Sequence, residues 1–427
     1  MNTSERLAEC PPVFEGRRVL VVGINFRPED AGIAPYTAEM VDHLLAEGAE
    51  VEVWTGVAHY PSWRVAADQR LLFRSQEIDA GMTLRRLRHF VPRRQTAVRR
   101  GLYEATFAMQ VMLTRWRQRP DIIICIIPSL LSAAWMTLIG RWRRVAVALW
   151  VQDLMAAGAE ESGMPGGKRV AGPVKRIERV ALKNATKVVV ISDPFRNYVR
   201  GVRGTDSGLE RVRNWSHIER FLGDRGSERE RLGWMAHEYV VLHAGNVGLK
   251  QGLESVVAAG RICESQQLPY RFVIMGNGSQ RAKIERLARG LRCVTLLEPV
   301  AQERFPAVLA AADALLVNER PGLREMSLPS KLTSYLVAGR PIVAAVEPEG
   351  GTAREVLRSG AGVLVGAGDP EALVGAAKRL SGEPGAAVAM GGQGEAYAQR
   401  HLSRRRSLRK IDAILASGLS GSSASGI

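Results

Sequence analysis

The chain has 427 residues, 46% hydrophobic and 24% charged, with a formal net charge of +16. That length exceeds what one hydrophobic core usually serves, so two domains are expected, and the composition excludes a disordered or fibrous chain. The four cysteines, Cys10, Cys125, Cys263 and Cys293, lack the spacing of a zinc site or disulfide framework, and residues 1–16 lack the basic and apolar run of a signal peptide, so a reducing cytoplasm is expected.

Arg17–Gly23 reads as a buried strand from its VLVVG run, Tyr36–Glu47 as an amphipathic helix closed by Gly48, and Glu50–Thr55 as the next strand. Residues 81–144 then hold thirteen arginines against only Glu104 and Asp121, with Phe90, Tyr103, Phe107, Trp116, Trp135 and Trp142 interleaved. Such a basic stretch suits an anionic membrane or a nucleic acid. No nucleic-acid module accompanies it, so the expected partner is the inner face of the plasma membrane, bound peripherally through residues 85–119.

Ile122–Gly140 runs nineteen residues without a charge, about a bilayer's worth. Pro128-Ser129 divides it into a β-branched strand, Ile122–Ile127, and a helix, Leu130–Gly140, so no membrane span is expected. Val145–Val151 and Lys187–Ser192 read as further strands and Pro194–Val202 as a helix.

The polar stretch 219–236 reads as a linker between a first domain, 1–218, and a second, 237–394. The second repeats the alternation: Tyr239–Ala244 (strand), Leu253–Gln266 (helix), Arg271–Met275 (strand), the turn Gly276-Asn277-Gly278, Gln280–Arg289 (helix), and so on through Ala361–Val365. Alternating strands and helices predict an α/β fold of two Rossmann-like domains with parallel sheets. Residues 395–416 read as a basic helix, and 417–427 as a Gly/Ser tail without structure.

Two segments carry chemistry. Ala244–Gly252 (AGNVGLKQG) places small residues between a strand and a helix, where backbone N–H groups can meet an anion and Lys250 can add a charge. Ser327–Ala345 (SLPSKLTSYLVAGRPIVAA) puts Pro329, Ser330 and Lys331 at a helix start. A cation there opposes the helix dipole, and an anionic ligand explains it better than helix stability does.

These segments, with GINFRPEDAGIAPYTAEM (23–40), AHYPSW (58–63), WVQDL (150–154) and NWSH (214–217), resemble retaining glycosyltransferase family 4, in its exopolysaccharide and colanic-acid branch. The resemblance implies a GT-B fold of two facing domains with an inter-domain cleft. It implies a nucleoside-diphosphate-sugar donor on the second domain, a lipid-linked saccharide acceptor on the first, and no metal or cofactor. It also implies that the helix at 395–416 crosses back to the first domain.

The resemblance assigns Gly32, Ile33 and Asn25 to the donor from the first domain. From the second it assigns Gly245, Asn246, Gly248, Lys250, Gln251, Gly276, Asn277, Gly278, Ser330, Lys331, Ser334 and Tyr335. Asp153, Lys331 and Glu325 are the candidate catalytic residues, and His59, Tyr60 and Trp63 the candidate acceptor residues. Asn246 and Gln251 stand where many members carry Arg and Lys, and Met326 and Ser334 where they carry a pair of glutamates. His243, in an apolar strand, reads as a core residue. A nucleotide-sugar epimerase and a catalytically silent partner subunit are the alternatives.

Overall fold

The computed structural model describes residues 13–30, 32–65, 69, 74–79, 81–94, 96–156, 167–322 and 330–423. The chain divides into two compact units, Met1–Arg213 with Arg405–Ile427, and Asn214–Arg404.

The first unit opens with β1 (Arg18–Val22), α1 (Ala34–Ala46) and β2 (Glu50–Gly56), followed by the antiparallel pair β3 (Arg74–Asp79) and β4 (Met82–Leu87). Then come α2 (Ala97–Leu113), β5 (Ile122–Ile127), α3 (Leu130–Arg143), β6 (Ala146–Val151), α4 (Gly167–Asn184), β7 (Lys187–Val190), α5 (Asp193–Arg203) and β8 (Leu209–Arg211). Among the described residues the sheet has eight strands in the order β3-β4-β2-β1-β5-β6-β7-β8. β5 and β6 are buried at every position, as strands covered by helices on both faces must be, which is why they read as unbroken apolar runs. The apolar stretch from Ile122 is thus a strand followed by a sheet-packed helix, and no described helix is long and apolar enough to cross a membrane.

The second unit holds α6 (Arg225–Arg231), β9 (Tyr239–Ala244), α7 (Glu254–Ser265), β10 (Tyr270–Met275), α8 (Arg281–Ala288), β11 (Val294–Leu297) and α9 (Phe305–Ala311). It continues through β12 (Ala314–Asn318), α10 (Ser330–Ala338), β13 (Ile342–Ala345), α11 (Gly351–Ser359), β14 (Gly362–Val365), α12 (Pro370–Gly382) and α13 (Pro384–His401). Its described sheet is parallel throughout, ordered β11-β10-β9-β12-β13-β14. Val240, Leu242 and Ala244 of β9 face one core, and Val241 faces the other, as the two-residue strand period requires.

Two boundaries differ from the sequence reading. The stretch 219–236 is not a bare connection: Asp224 caps α6 by accepting from the Gly226 and Ser227 amides, and Arg225 and Arg229 both grip Asp313 of the second unit. At the other end, the helix read over 395–416 is two helices. α13 stays in the second unit, where Glu395 pairs with Arg220 at 2.8 Å, and only α14 (Arg404–Ser423) joins the first.

On the first unit, Asp412 of α14 meets His43 of α1 at 2.8 Å, and the Ser407 hydroxyl donates to the Arg213 carbonyl at 3.0 Å. α14 runs to Ser423, so the 417–423 part of the Gly/Ser tail is helical; residues 424–427 lie outside the described residues. Packing outweighs composition here, because Gly418 is buried against Ile122 and Lys187.

Candidate active site

In the second unit β9 and β10 end side by side, and their carboxyl ends carry the glycines. Gly276 has φ 145°, and a Cβ on it would stand 1.8 Å from the Gly245 carbonyl oxygen, so no other residue fits. Beyond it, the Val247 amide donates to the Asn277 carbonyl at 2.9 Å and the Gln280 amide to the Val247 carbonyl at 2.9 Å, which locks the 245–248 and 276–280 turns together.

The predicted polar residues of this turn divide by role. Gln251 accepts from the Gly248 amide at 3.1 Å, closing the short 3-10 turn Leu249–Gln251. The Asn246 carboxamide lies across the turn beside Gly248 and Gly278, and the Asn277 side chain accepts from the Gly278 amide at 2.9 Å. Lys250, within the 3-10 turn, is exposed.

Lys331, in the first turn of α10, reaches Gly245 of the glycine turn. Its Nζ stands 3.1 Å from His243 Nε2 and 3.5 Å from where a Gly245 Cβ would be. His243 is wholly buried, and burial with the Lys331 charge holds it well below the usual imidazole range. It is therefore neutral and accepts the lysine's hydrogen bond, leaving the ammonium charge uncancelled by this partner. The core reading of His243 holds for its burial but misses this contact.

Tyr335 departs from its expected role. It is fully buried, and its hydroxyl both accepts from the Ala244 amide at 2.7 Å and donates to the Ala244 carbonyl at 3.1 Å. It thus pins the end of β9 and offers no surface to a ligand. Ser334 is half-buried on the same helix; Glu325 and Met326 lie outside the described residues, as does the Ser330 side chain.

In the first unit Gly32 and Ile33 precede α1, with Gly32 exposed and packed on the Tyr60 ring. Asn25 is buried and donates to Glu29 at 2.8 Å. The same buried carboxylate accepts from the His59 amide at 2.8 Å and the Tyr60 amide at 2.9 Å, so Glu29, which the sequence did not single out, joins the two loops.

His59 is a correction. It is 3% exposed, held by the Val57 carbonyl and the Tyr103 hydroxyl, and burial lowers its pKa despite Glu29 beside it, so it is a packed neutral ring and not an acceptor contact. Trp63 is half-buried, with the Arg100 guanidinium 4.8 Å above its ring. It borders a pocket of about 310 Å³ shared with Arg64, Val65, Arg88, Val91 and Arg93. Asp153 is exposed just past the carboxyl end of β6.

The thirteen arginines do not act as one patch. Arg85 pairs with Glu52 at 3.0 Å, and Arg86 is buried against Glu77 and the Arg27 carbonyl. Arg93, Arg94 and Arg99 are exposed, and on the outer face of α2 so are Val98 (78%), Leu102, Met109, Met112 and Leu113.

Comparisons with known proteins agree with this architecture. Residues 31–215 match the family model of the glycosyl transferase 4-like domain, and residues 238–383 that of glycosyl transferases group 1. Over 343 residues the chain is 32% identical to the putative colanic acid biosynthesis glycosyl transferase WcaI of Escherichia coli strain K12, spanning 77% of this chain and 83% of that protein.

Among solved structures, sucrose-phosphate synthase from Thermosynechococcus elongatus superposes with a TM-score of 0.71 at 17% identity, covering 95% of this chain and 100% of the other. HepE of Anabaena in complex with UDP-glucose gives 0.67 at 14% identity, covering 94% and 99%. At those identities the likeness is one of fold.

Proposed function

The chain belongs to glycosyltransferase family 4, in its exopolysaccharide and colanic-acid branch, and on that premise we propose that it moves a hexose with retention from a nucleoside-diphosphate sugar to a lipid-linked saccharide. The observation that carries the proposal is the Lys331 ammonium, held by an uncharged histidine against the glycine turn at Gly245.

The leaving diphosphate gains charge as the glycosidic bond breaks, and fixed donors at that point lower the barrier without metal assistance. Lys331 supplies the full charge. The turn at 245–248 admits the phosphates closely because the exposed Gly245 carries no side chain. Gln251, engaged in closing the 3-10 turn, shapes this loop and does not replace a missing cation. Asp153 is the carboxylate assigned to the transferred sugar, with Glu325 a further candidate.

Trp63 and Tyr60 offer ring faces to the acceptor saccharide, and Arg64, Arg88 and Arg93 around the Trp63 pocket suit an acceptor that carries phosphate. The exposed apolar face of α2 beside Arg93, Arg94 and Arg99 supports a peripheral seat on the inner leaflet, where a lipid-linked acceptor resides.

The test is nucleotide release from nucleoside-diphosphate hexoses. Release that rises on adding a lipid-linked saccharide, with the α- or β-configuration of the donor kept in the product, supports the proposal. Interconversion of donor sugars without acceptor would reassign the protein as an epimerase.

A further inference from the structure

At the amino ends of the second unit's strands, away from the glycine turn, lies a pocket of about 450 Å³. Tyr239 opens β9, Asp313 precedes β12, and Arg340 precedes β13, whereas Gly245 follows the far end of β9. Six residues of extended chain separate the two ends, roughly 17 Å.

The lining is basic. Arg220, Arg225 and Arg340 face the cavity with Asp313 and Glu395, and Arg229 stands behind. The two carboxylates are already committed: Glu395 to Arg220 at 2.8 Å, and Asp313 to Arg225 and Arg229. Among the described residues no hydrogen bond closes on the Arg340 guanidinium, and its buried Nε and the buried Tyr239 hydroxyl have no partner. Burial, with Arg225, Arg220 and Arg229 nearby, pulls Arg340 down to about 10, only Asp313 opposing.

A half-buried cation among cations and two buried, unmatched polar atoms are unfavourable unless something else supplies negative charge and hydrogen-bond acceptors. The first turn of α13, through Pro384, Ala387 and Val388, adds a positive helix end to the same wall, and Phe221 and Leu380 add apolar surface.

We infer that this pocket is a second anion site, which takes a small phosphate ester such as a sugar phosphate. The phosphate meets Arg340 and Arg225 and accepts from the Tyr239 hydroxyl. The organic body lies against Phe221, Leu380 and Val388. A cavity of this volume is within the range of small-molecule sites.

Thermal-shift and calorimetric titrations with glucose 1-phosphate and with inorganic phosphate, at fixed ionic strength, test the inference. Four proteins are compared: wild type, Arg340→Met, Val388→Trp and Lys331→Ala. Val388 is 71% exposed, so its indole fills the pocket while every arginine stays in place, which keeps the test valid if Arg340→Met folds poorly.

The expected result is saturable binding of glucose 1-phosphate to wild type and to Lys331→Ala alike, weakened at least tenfold in Arg340→Met and Val388→Trp. Inorganic phosphate should bind more weakly, lacking the body. Binding lost in Lys331→Ala but kept in both pocket variants would place the anion at the glycine turn and overturn the inference. Absence of binding to wild type up to ~10 mM would do the same. Equal affinity for the two probes would overturn the ester assignment.

Discussion

The Lys331 ammonium stands 3.1 Å from His243 Nε2, and that imidazole is wholly buried and neutral. A carboxylate in the same place would hold the lysine equally well but cancel its charge; the neutral imidazole orients the cation without cancelling it. His243→Leu removes the acceptor and should weaken nucleoside-diphosphate binding by roughly 0.5–1.5 kcal/mol, the net worth of one hydrogen bond. His243→Gln, which keeps an acceptor, should recover part of this loss. Because the His243 pKa lies well below its usual range, wild-type binding should show no inflection from this residue between pH 6 and 8. Calorimetric titration across that range reads both effects, and an inflection abolished by His243→Gln would contradict a neutral ring.

Glu104 makes stability depend on pH. It lies on the buried face of α2, accepts from the Leu130 amide at the start of α3 at 2.9 Å, and burial raises its pKa to about 7. A carboxyl raised above its unfolded value binds its proton more tightly when folded. The contribution is therefore present below the unfolded pKa and lost as pH rises through about 7. Wild type should lose up to about 3 kcal/mol relative to Glu104→Gln between pH 4.5 and 8. Urea unfolding at several pH values measures this; parallel curves for the two proteins would contradict it.

α14 is remote in sequence from the first unit it completes. Deletion from Arg404 removes the Asp412 contact to His43 and the Ser407 contact to Arg213, and takes away the buried Leu408, Ile411, Ile414 and Leu415, uncovering the apolar surface they pack on. Burying four such side chains is worth several kcal/mol, so this truncation should lower the melting temperature steeply, while deletion of 424–427 should leave it unchanged. Equal tolerance of both truncations in a thermal melt would show that α14 is not part of the first unit's core.

For membrane association the basic residues to replace are Arg93, Arg94 and Arg99. Arg85 and Arg86 are bound within the sheet, and Arg100 covers the Trp63 and Tyr103 rings. At about 1 kcal/mol per basic residue near an anionic surface, the triple Gln variant should bind phosphatidylserine vesicles on the order of a hundredfold more weakly. Val98→Ser with Leu102→Ser should weaken binding without altering its salt dependence. Undiminished sedimentation of the triple variant with vesicles would exclude this surface.

The central strands were legible because both faces are buried: IIICII and YVVLHA leave no other reading. α2 was hidden by its arginines, although Tyr103, Phe107 and Val111, spaced by four, mark its inner face. The Gly/Ser end of α14 misled in the other direction, since low propensity was overridden by docking. In the site, Lys331 was legible because a lysine in a helix's first turn opposes the dipole. Glu29 was not, because its contacts to His59 and Tyr60 span some thirty residues and only folding brings them together. His243 was read from its apolar neighbours, which fixed its burial and said nothing of Lys331, 88 positions away.

The most direct measurement compares single-turnover sugar transfer and nucleoside-diphosphate affinity in Lys331→Ala and Lys250→Ala. Lys331 lies against Gly245 of the glycine turn, and Lys250 is exposed. Lys331→Ala should lower the transfer rate on the order of a hundredfold or more, about 2–4 kcal/mol, with native far-ultraviolet circular dichroism. Lys250→Ala should stay within a few-fold of wild type. Near wild-type transfer and affinity in Lys331→Ala, with both lost in Lys250→Ala, would contradict the assignment of the diphosphate to Lys331.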